Sequence, residues 1–128
     1  MPAWEEYKAT AKARGALALE LYVVQSQAGD DPAAIQANLP DHLEYQRRME
    51  AEGRLVMAGP VSDESGDNMF GSGQIVYRAA SMEEAKALAD GDPMHKSGAR
   101  SYSLRKWLVN EGSLNVSVGL STGHVALS

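Results

Sequence analysis

Strand, helix, strand, strand, helix, strand is the order of elements legible in the chain, and it predicts an α+β domain. Three observations carry that prediction. Leu17, Leu19, Leu21 and Val23 alternate with Ala18, Glu20, Tyr22 and Val24 at the two-residue period of a strand. The run DHLEYQRRMEAEG (41–53) spaces Leu43, Gln46, Met49 and Glu50 as a helix does and stops at a glycine. The run SMEEAKALADG (81–91) repeats the arrangement behind a serine suited to cap it. Two strand–helix–strand halves joined through a strand-to-strand loop make a ferredoxin-like split βαβ, an antiparallel sheet with helices on one face.

Taken in order, Trp4, Tyr7 and Ala11 fall at helical steps within residues 3–14 and Gly15 stops them, which predicts a short amphipathic helix. The first strand follows and ends in Leu21–Val24, apolar on both faces as in a central strand. SQAGDDP (26–32) is turn-forming, with Asp31-Pro32 opening a short helical turn that leads to Leu39. Pro40 fits the first turn of the main helix, where its missing N–H costs nothing, and Asp41 suits the same positive end. Gly53 is placed to end that helix in a left-handed turn. Leu55–Ala58 reads as a buried strand cut off by Gly59-Pro60, and residues 62–73 (SDESGDNMFGSG) as a polar, glycine-rich loop.

Gln74–Tyr77 resumes as a strand. Ser81 with Glu84 forms a capping box for a helix whose buried stripe is Met82, Ala85, Leu88 and Ala89, ended by Gly91. Asp92-Pro93 reopens a turn, and Ser101–Val109 forms the last strand, with Tyr102, Leu104 and Lys106 opposite Ser103, Arg105 and Trp107. The tail alternates Leu114, Val116, Val118 and Leu120 with small or polar residues and reads as an arm pairing with this subunit or its neighbour. The organisation is a helical extension (1–16), one domain (17–109) and a C-terminal arm (110–128).

Composition narrows the function classes. The 128 residues are 44% hydrophobic and 23% charged, enough for one well-buried core without a disulfide or metal. With no cysteine there is no thiol nucleophile and no cysteine-based zinc site, and a reducing cytoplasm is the expected location. A formal charge of -5, with basic groups only in pairs such as Arg47-Arg48, argues against nucleic acid. No apolar run is long enough to span a bilayer, so no membrane partner is expected. The glycines of FGSGQ precede a strand, whereas a phosphate loop leads from a strand into a helix. His95 and His42 lack the spacing of a metal pair, and no metal is expected. No G-x-S-x-G elbow points to a serine nucleophile. A small sheet with helices on one face needs a second layer, and a homodimer would supply it; the terminal extensions are the alternative cover.

DHLEYQRRMEAEGRLVMAGPVSD (41–63), SMEEAKALADGDP (81–93) and the strand ending at Lys106-Trp107 together resemble the YCII-related (YciI-like) family of the dimeric α+β barrel superfamily. The matching motif is a histidine entering the first helix (His42), G-x-L-x-x-x-G-P after it (Gly53–Pro60), and Asp92-Pro93 after the second helix. The resemblance covers roughly Leu19–Trp107. It implies a ferredoxin-like fold that dimerises sheet to sheet into a barrel. It also implies chemistry like that of muconolactone isomerase and a chlorohydroxyquinol dehydrochlorinase, on small cyclic or aromatic-derived substrates and without a cofactor.

The same resemblance places His42 and Asp92 at one cleft as a His–Asp site. A carboxylate that accepts a hydrogen bond from one imidazole nitrogen fixes the tautomer and leaves the other nitrogen free to take a proton. The plainer reading is that Asp92 caps the turn at Pro93 and His42 packs at a helix start. Ser62 and Asp63 would sit at the cleft mouth and hold a substrate oxygen, or simply form a turn. Tyr45, three residues from His42, would line the pocket or pack in the core. The resulting expectation is a cofactor-independent acid–base enzyme acting on a small organic molecule. A non-catalytic ligand-binding or oligomerisation module on the same fold is the alternative.

Overall fold

The computed structural model describes residues 1–128. The chain divides into two compact units, one of residues 20–107 and one of residues 1–19 with 108–128. The larger carries four strands, β1 (Leu19–Ala28), β2 (Leu55–Ser62), β3 (Met69–Tyr77) and β4 (Arg100–Val109), and three helices, α2 (Pro32–Ala51), α3 (Met82–Gly91) and α4 (Pro93–Lys96). In the smaller unit, α1 (Trp4–Ala13) buries Ala11, and β5 (Val116–Val118) pairs antiparallel with β6 (Val125–Leu127).

The sheet order is β2-β3-β1-β4, with β3 antiparallel to both β1 and β2, as a split βαβ requires. Tyr22 lies opposite Tyr77 and Val24 opposite Ile75, which puts these side chains on one face. Val24, Ile75 and Tyr77 join Tyr45 and Met49 of α2 and Leu88 and Ala89 of α3 in the core. Burying the valine, isoleucine, leucine and methionine of this set stabilises the fold by about 1.5–3 kcal/mol each.

The barrel implied by the resemblance is not what forms. The sheet is open: β2 and β4 are its two edges, separated by β3 and β1. Closing a sheet around packed side chains takes roughly eight strands, and this sheet has four.

Three local differences from the sequence reading have physical causes. The central helix begins at Pro32, where the Asp31 carboxylate accepts from the Ala33 and Ala34 N–H groups at 3.1 and 3.3 Å. Pro40 therefore lies inside α2 and His42 in its middle, so neither belongs to a helix start. Strand β2 runs through Gly59-Pro60, which an edge strand tolerates because a proline can turn its missing donor away from the ladder. Strand β3 begins at Met69, because Ser72 and Gly73 join the backbone ladder opposite both β1 and β2 and Met69 pairs with Ser62 of β2.

The tail pairs with itself, Ser117 opposite Ala126, and its turn is closed by the Gly119 N–H donating to the His124 carbonyl at 2.8 Å. Ser81 caps α3 as read, its Oγ accepting from the Glu84 N–H at 3.1 Å, while the Glu84 carboxylate accepts from the Ala80 N–H at 3.0 Å, one residue before the cap. Gly53 takes a φ of 75° just past the end of α2, the left-handed geometry that favours glycine.

Candidate active site

Helix α2 presents two faces. Tyr45 and Met49 enter the core, and the Tyr45 hydroxyl donates to the Leu88 carbonyl at 2.6 Å. Ile35, Leu39, His42, Leu43 and Gln46 recur at helical spacing along a second face and line an open cavity of about 340 Å³. The opposite wall comes from the sheet, with Pro60 of β2, Met69, Gly73 and Ile75 of β3, Ser26 of β1 and Arg100 of β4.

Asp92 ends α3 and starts α4, a position that aims its carboxylate back at α2. It is fully buried, and its two oxygens stand 2.8 and 2.9 Å from His42 Nδ1. One of them also accepts from the Met94 N–H at 3.0 Å, capping α4. A carboxylate only accepts, so His42 Nδ1 carries the hydrogen and Nε2 of the neutral ring is bare. The His42 side chain is 16% exposed, and it lines the cavity. Capping and the His–Asp pairing thus coexist on one carboxylate.

A second polar chain meets the cavity from the sheet. His95 Nδ1 is 2.8 Å from the Ala89 carbonyl, so that nitrogen is the donor and Nε2 of the neutral ring accepts from Ser26 Oγ–H at 2.9 Å. Arg100 Nε–H in turn donates to Ser26 Oγ at 2.8 Å, and Arg100 Nη2 donates to the carbonyls of Ser26 (3.1 Å) and Gly71 (2.6 Å). Burial draws the Arg100 pKa down while the Asp92 charge opposes it. Sequence reasoning missed Ser26 and Arg100. It set the start of the last strand one residue too late, and residues 74 positions apart leave no local signal.

Of the other residues singled out from the sequence, Tyr45 belongs to the core and does not line the cavity; burial, then Asp92, raises its pKa. Ser62 and Asp63 also lie outside the cavity lining. Ser62 Oγ donates to the Asp63 carbonyl at 2.9 Å, and the Asp63 carboxylate accepts from the Ser65 N–H at 3.1 Å and from Asn68 Nδ2 at 3.2 Å. Hydrogen bonds from Ser65 and Asn68 hold the Asp63 pKa below its ordinary value, which marks a closed turn. No group of three or more His, Cys, Asp or Glu side chains is gathered as a metal would need, and no helix is long and apolar enough to cross a membrane.

Fold and site together define an α+β domain with a buried His–Asp pair beside a small-molecule-sized cavity, an arrangement consistent with acid–base catalysis. The model of the YCII-related domain matches residues 20–108, and the chain belongs to that family. It is similar to the uncharacterized protein YjpA of Bacillus subtilis, 36% identical over 72 residues that cover 56% of this chain and 78% of YjpA. It is 32% identical to the protein YciI of Escherichia coli over 83 residues, 61% of this chain and 85% of that protein. Among solved structures it resembles the 5-chloro-2-hydroxyhydroquinone dehydrochlorinase of Burkholderia phenoliruptrix in complex with 2,5-dihydroxybenzoquinone. That likeness has a TM-score of 0.51 and 22% identity, covers 68% of this chain and 92% of the other, and bears on the fold.

Proposed function

We propose that this chain is a small cofactor-independent enzyme that moves a proton on a small organic substrate, in an isomerisation, elimination or hydrolysis. The observation that carries the reading is the fully buried Asp92 holding His42 Nδ1 while the imidazole lines the cavity. His42 Nε2 takes a proton from the substrate, and the imidazolium that forms is stabilised by the Asp92 charge at its other nitrogen. The ring then returns the proton to a different atom or to a leaving group. A positioned acid–base group of this kind contributes about 10²–10⁴ in rate. Ser62, Asp63 and Tyr45 take no substrate contact in this scheme, because their side chains serve the turn and the core.

The compound bound by the dehydrochlorinase suggests the first probe. Each ring C–H of 2,5-dihydroxybenzoquinone lies between an enolic carbon and a carbonyl carbon; it exchanges when the deuterated His42 imidazolium adds a deuteron at that carbon and the neutral ring, at Nε2, then takes the original proton. Incubation in D2O, followed by proton NMR, is expected to show exchange above the buffer rate. His42→Ala should reduce that acceleration by about 10²-fold or more with the far-UV circular dichroism unchanged. Equal rates for the two proteins, or no acceleration by the wild type, would contradict the proposal.

The proposal also has the chain working as a homodimer. Met57, Val61, Met69 and Phe70 are exposed along β2 and β3, and a second copy would remove them from water. Sedimentation equilibrium should give twice the chain mass of 13.7 kDa, and a single-chain mass would refute it.

A further inference from the structure

We propose that Arg100 is the anchor for an anionic oxygen of the substrate, so that the cavity selects small organic anions with an apolar body. The inference rests on the cavity being the reaction site, and it names what that site accepts.

Arg100 is the only residue with a permanent charge among those lining the cavity. Its guanidinium is half-buried and bound to three acceptors, all neutral: Ser26 Oγ, the Ser26 carbonyl and the Gly71 carbonyl. The carboxylate that acts on it electrostatically, Asp92, is already engaged by His42 and by the Met94 N–H. A partly buried cation with no ion partner is unfavourable unless an anion joins it. Nε and Nη2 are fixed by these bonds, so Nη1 keeps its donors for a ligand.

Ser26 and His95 are positioning residues. His95, oriented by the Ala89 carbonyl, turns the Ser26 hydroxyl so that its oxygen faces Arg100 Nε. The remaining lining is mostly apolar, with Ile35, Leu39, Leu43, Ile75 and Met94 available to the body of a ligand. An anionic oxygen on Arg100 leaves that body between the sheet and α2, where His42 waits. Such an anchor also favours an enolate-like oxygen that develops as His42 removes a neighbouring proton.

The test is an NMR titration of the whole chain with benzoate as the anionic probe and benzamide as its neutral counterpart, read at the Arg100 Nε–H and His42 ring signals. Benzoate is expected to shift both sets saturably, and benzamide to bind at least about tenfold more weakly. Arg100→Gln should weaken benzoate by about tenfold or more, with Arg100→Lys recovering part of the loss, because lysine restores the charge without the fork. Gln46→Glu leaves the arginine network intact and should weaken benzoate in the same direction by supplying a competing carboxylate in the cavity.

Equal affinity for the two probes, no response to benzoate, or benzoate binding indifferent to Arg100→Gln (or to Gln46→Glu, where Arg100→Gln does not fold) would overturn the assignment. Failure of the proton-transfer proposal looks different: benzoate would bind as described here while His42→Ala left exchange of the quinone unchanged.

Discussion

Replacing Asp92 with alanine removes two things at once, and the structure gives a size to each. The carboxylate caps α4 through the Met94 N–H at 3.0 Å, and losing a cap costs about 1 kcal/mol. It also accepts the hydrogen of His42 Nδ1 at 2.8 Å with no exposure to water, and losing such a charge-assisted bond costs about 1.5–3 kcal/mol. The expected destabilisation is therefore about 3 kcal/mol, or roughly a 10 °C fall in melting temperature for a chain of this length. Asp92→Asn behaves differently. Asparagine caps as well as aspartate, and its amide oxygen still accepts from Nδ1–H, so only the charge is lost and about 1 kcal/mol is expected. Thermal unfolding followed by circular dichroism distinguishes the two variants. If Asp92→Ala melts within about 2 °C of the wild type, or no lower than Asp92→Asn, the pairing does not hold the fold as argued.

Other expected outcomes come from the same geometry. Gly91→Ala should lower the melting temperature, because a Cβ there would stand 2.7 Å from the Tyr45 hydroxyl and displace its bond to the Leu88 carbonyl, at a cost of about 1–3 kcal/mol. Tyr45→Phe removes only that hydrogen bond and should cost about 1–2 kcal/mol by chemical denaturation, the Leu88 carbonyl being left without it. Burial, followed by the hydrogen bond to Asp90, pushes the Tyr102 hydroxyl up to about 12 from an ordinary 10.0. The folded state thus holds this proton more tightly, so the stability it contributes is complete below pH 10.0 and is lost as the pH rises toward about 12. Phenolate absorbance should show Tyr102, identified by its loss in Tyr102→Phe, titrating above the ordinary 10.0; titration at that ordinary value would contradict the packing.

Element order was legible because each strand and helix has its own period and its own punctuation. Ser81 with Glu84 and Gly53 beyond the central helix are local signals, and the chain obeys them. The central helix misled for a local reason too. An aspartate beside a proline occurs both at Asp31-Pro32 and at Pro40-Asp41, and either pair resembles a helix start. Packing decides between them: Ile35 and Leu39 line the same cavity face as His42 and Leu43, so one helix spans both pairs. Sheet closure is a tertiary property, which no strand's own sequence encodes, and there the expectation of a barrel failed.

His42 and Asp92 stood out through a family motif, not through periodicity. The structure brings the two together from positions 50 residues apart. Ser26, His95 and Arg100 meet because β1 lies beside β4 and α4 precedes β4, an assembly with no motif of its own.

The most direct test of the His42–Asp92 arrangement is a long-range nitrogen–proton NMR correlation of the His42 ring, under conditions where the imidazole is neutral. The structure predicts Nδ1 protonated toward Asp92 and Nε2 bare, and Asp92→Ala should release the ring to the Nε2–H form that free imidazoles of histidine favour. A neutral wild-type ring already protonated at Nε2 would leave His42 without a proton acceptor at the cavity and would contradict the account.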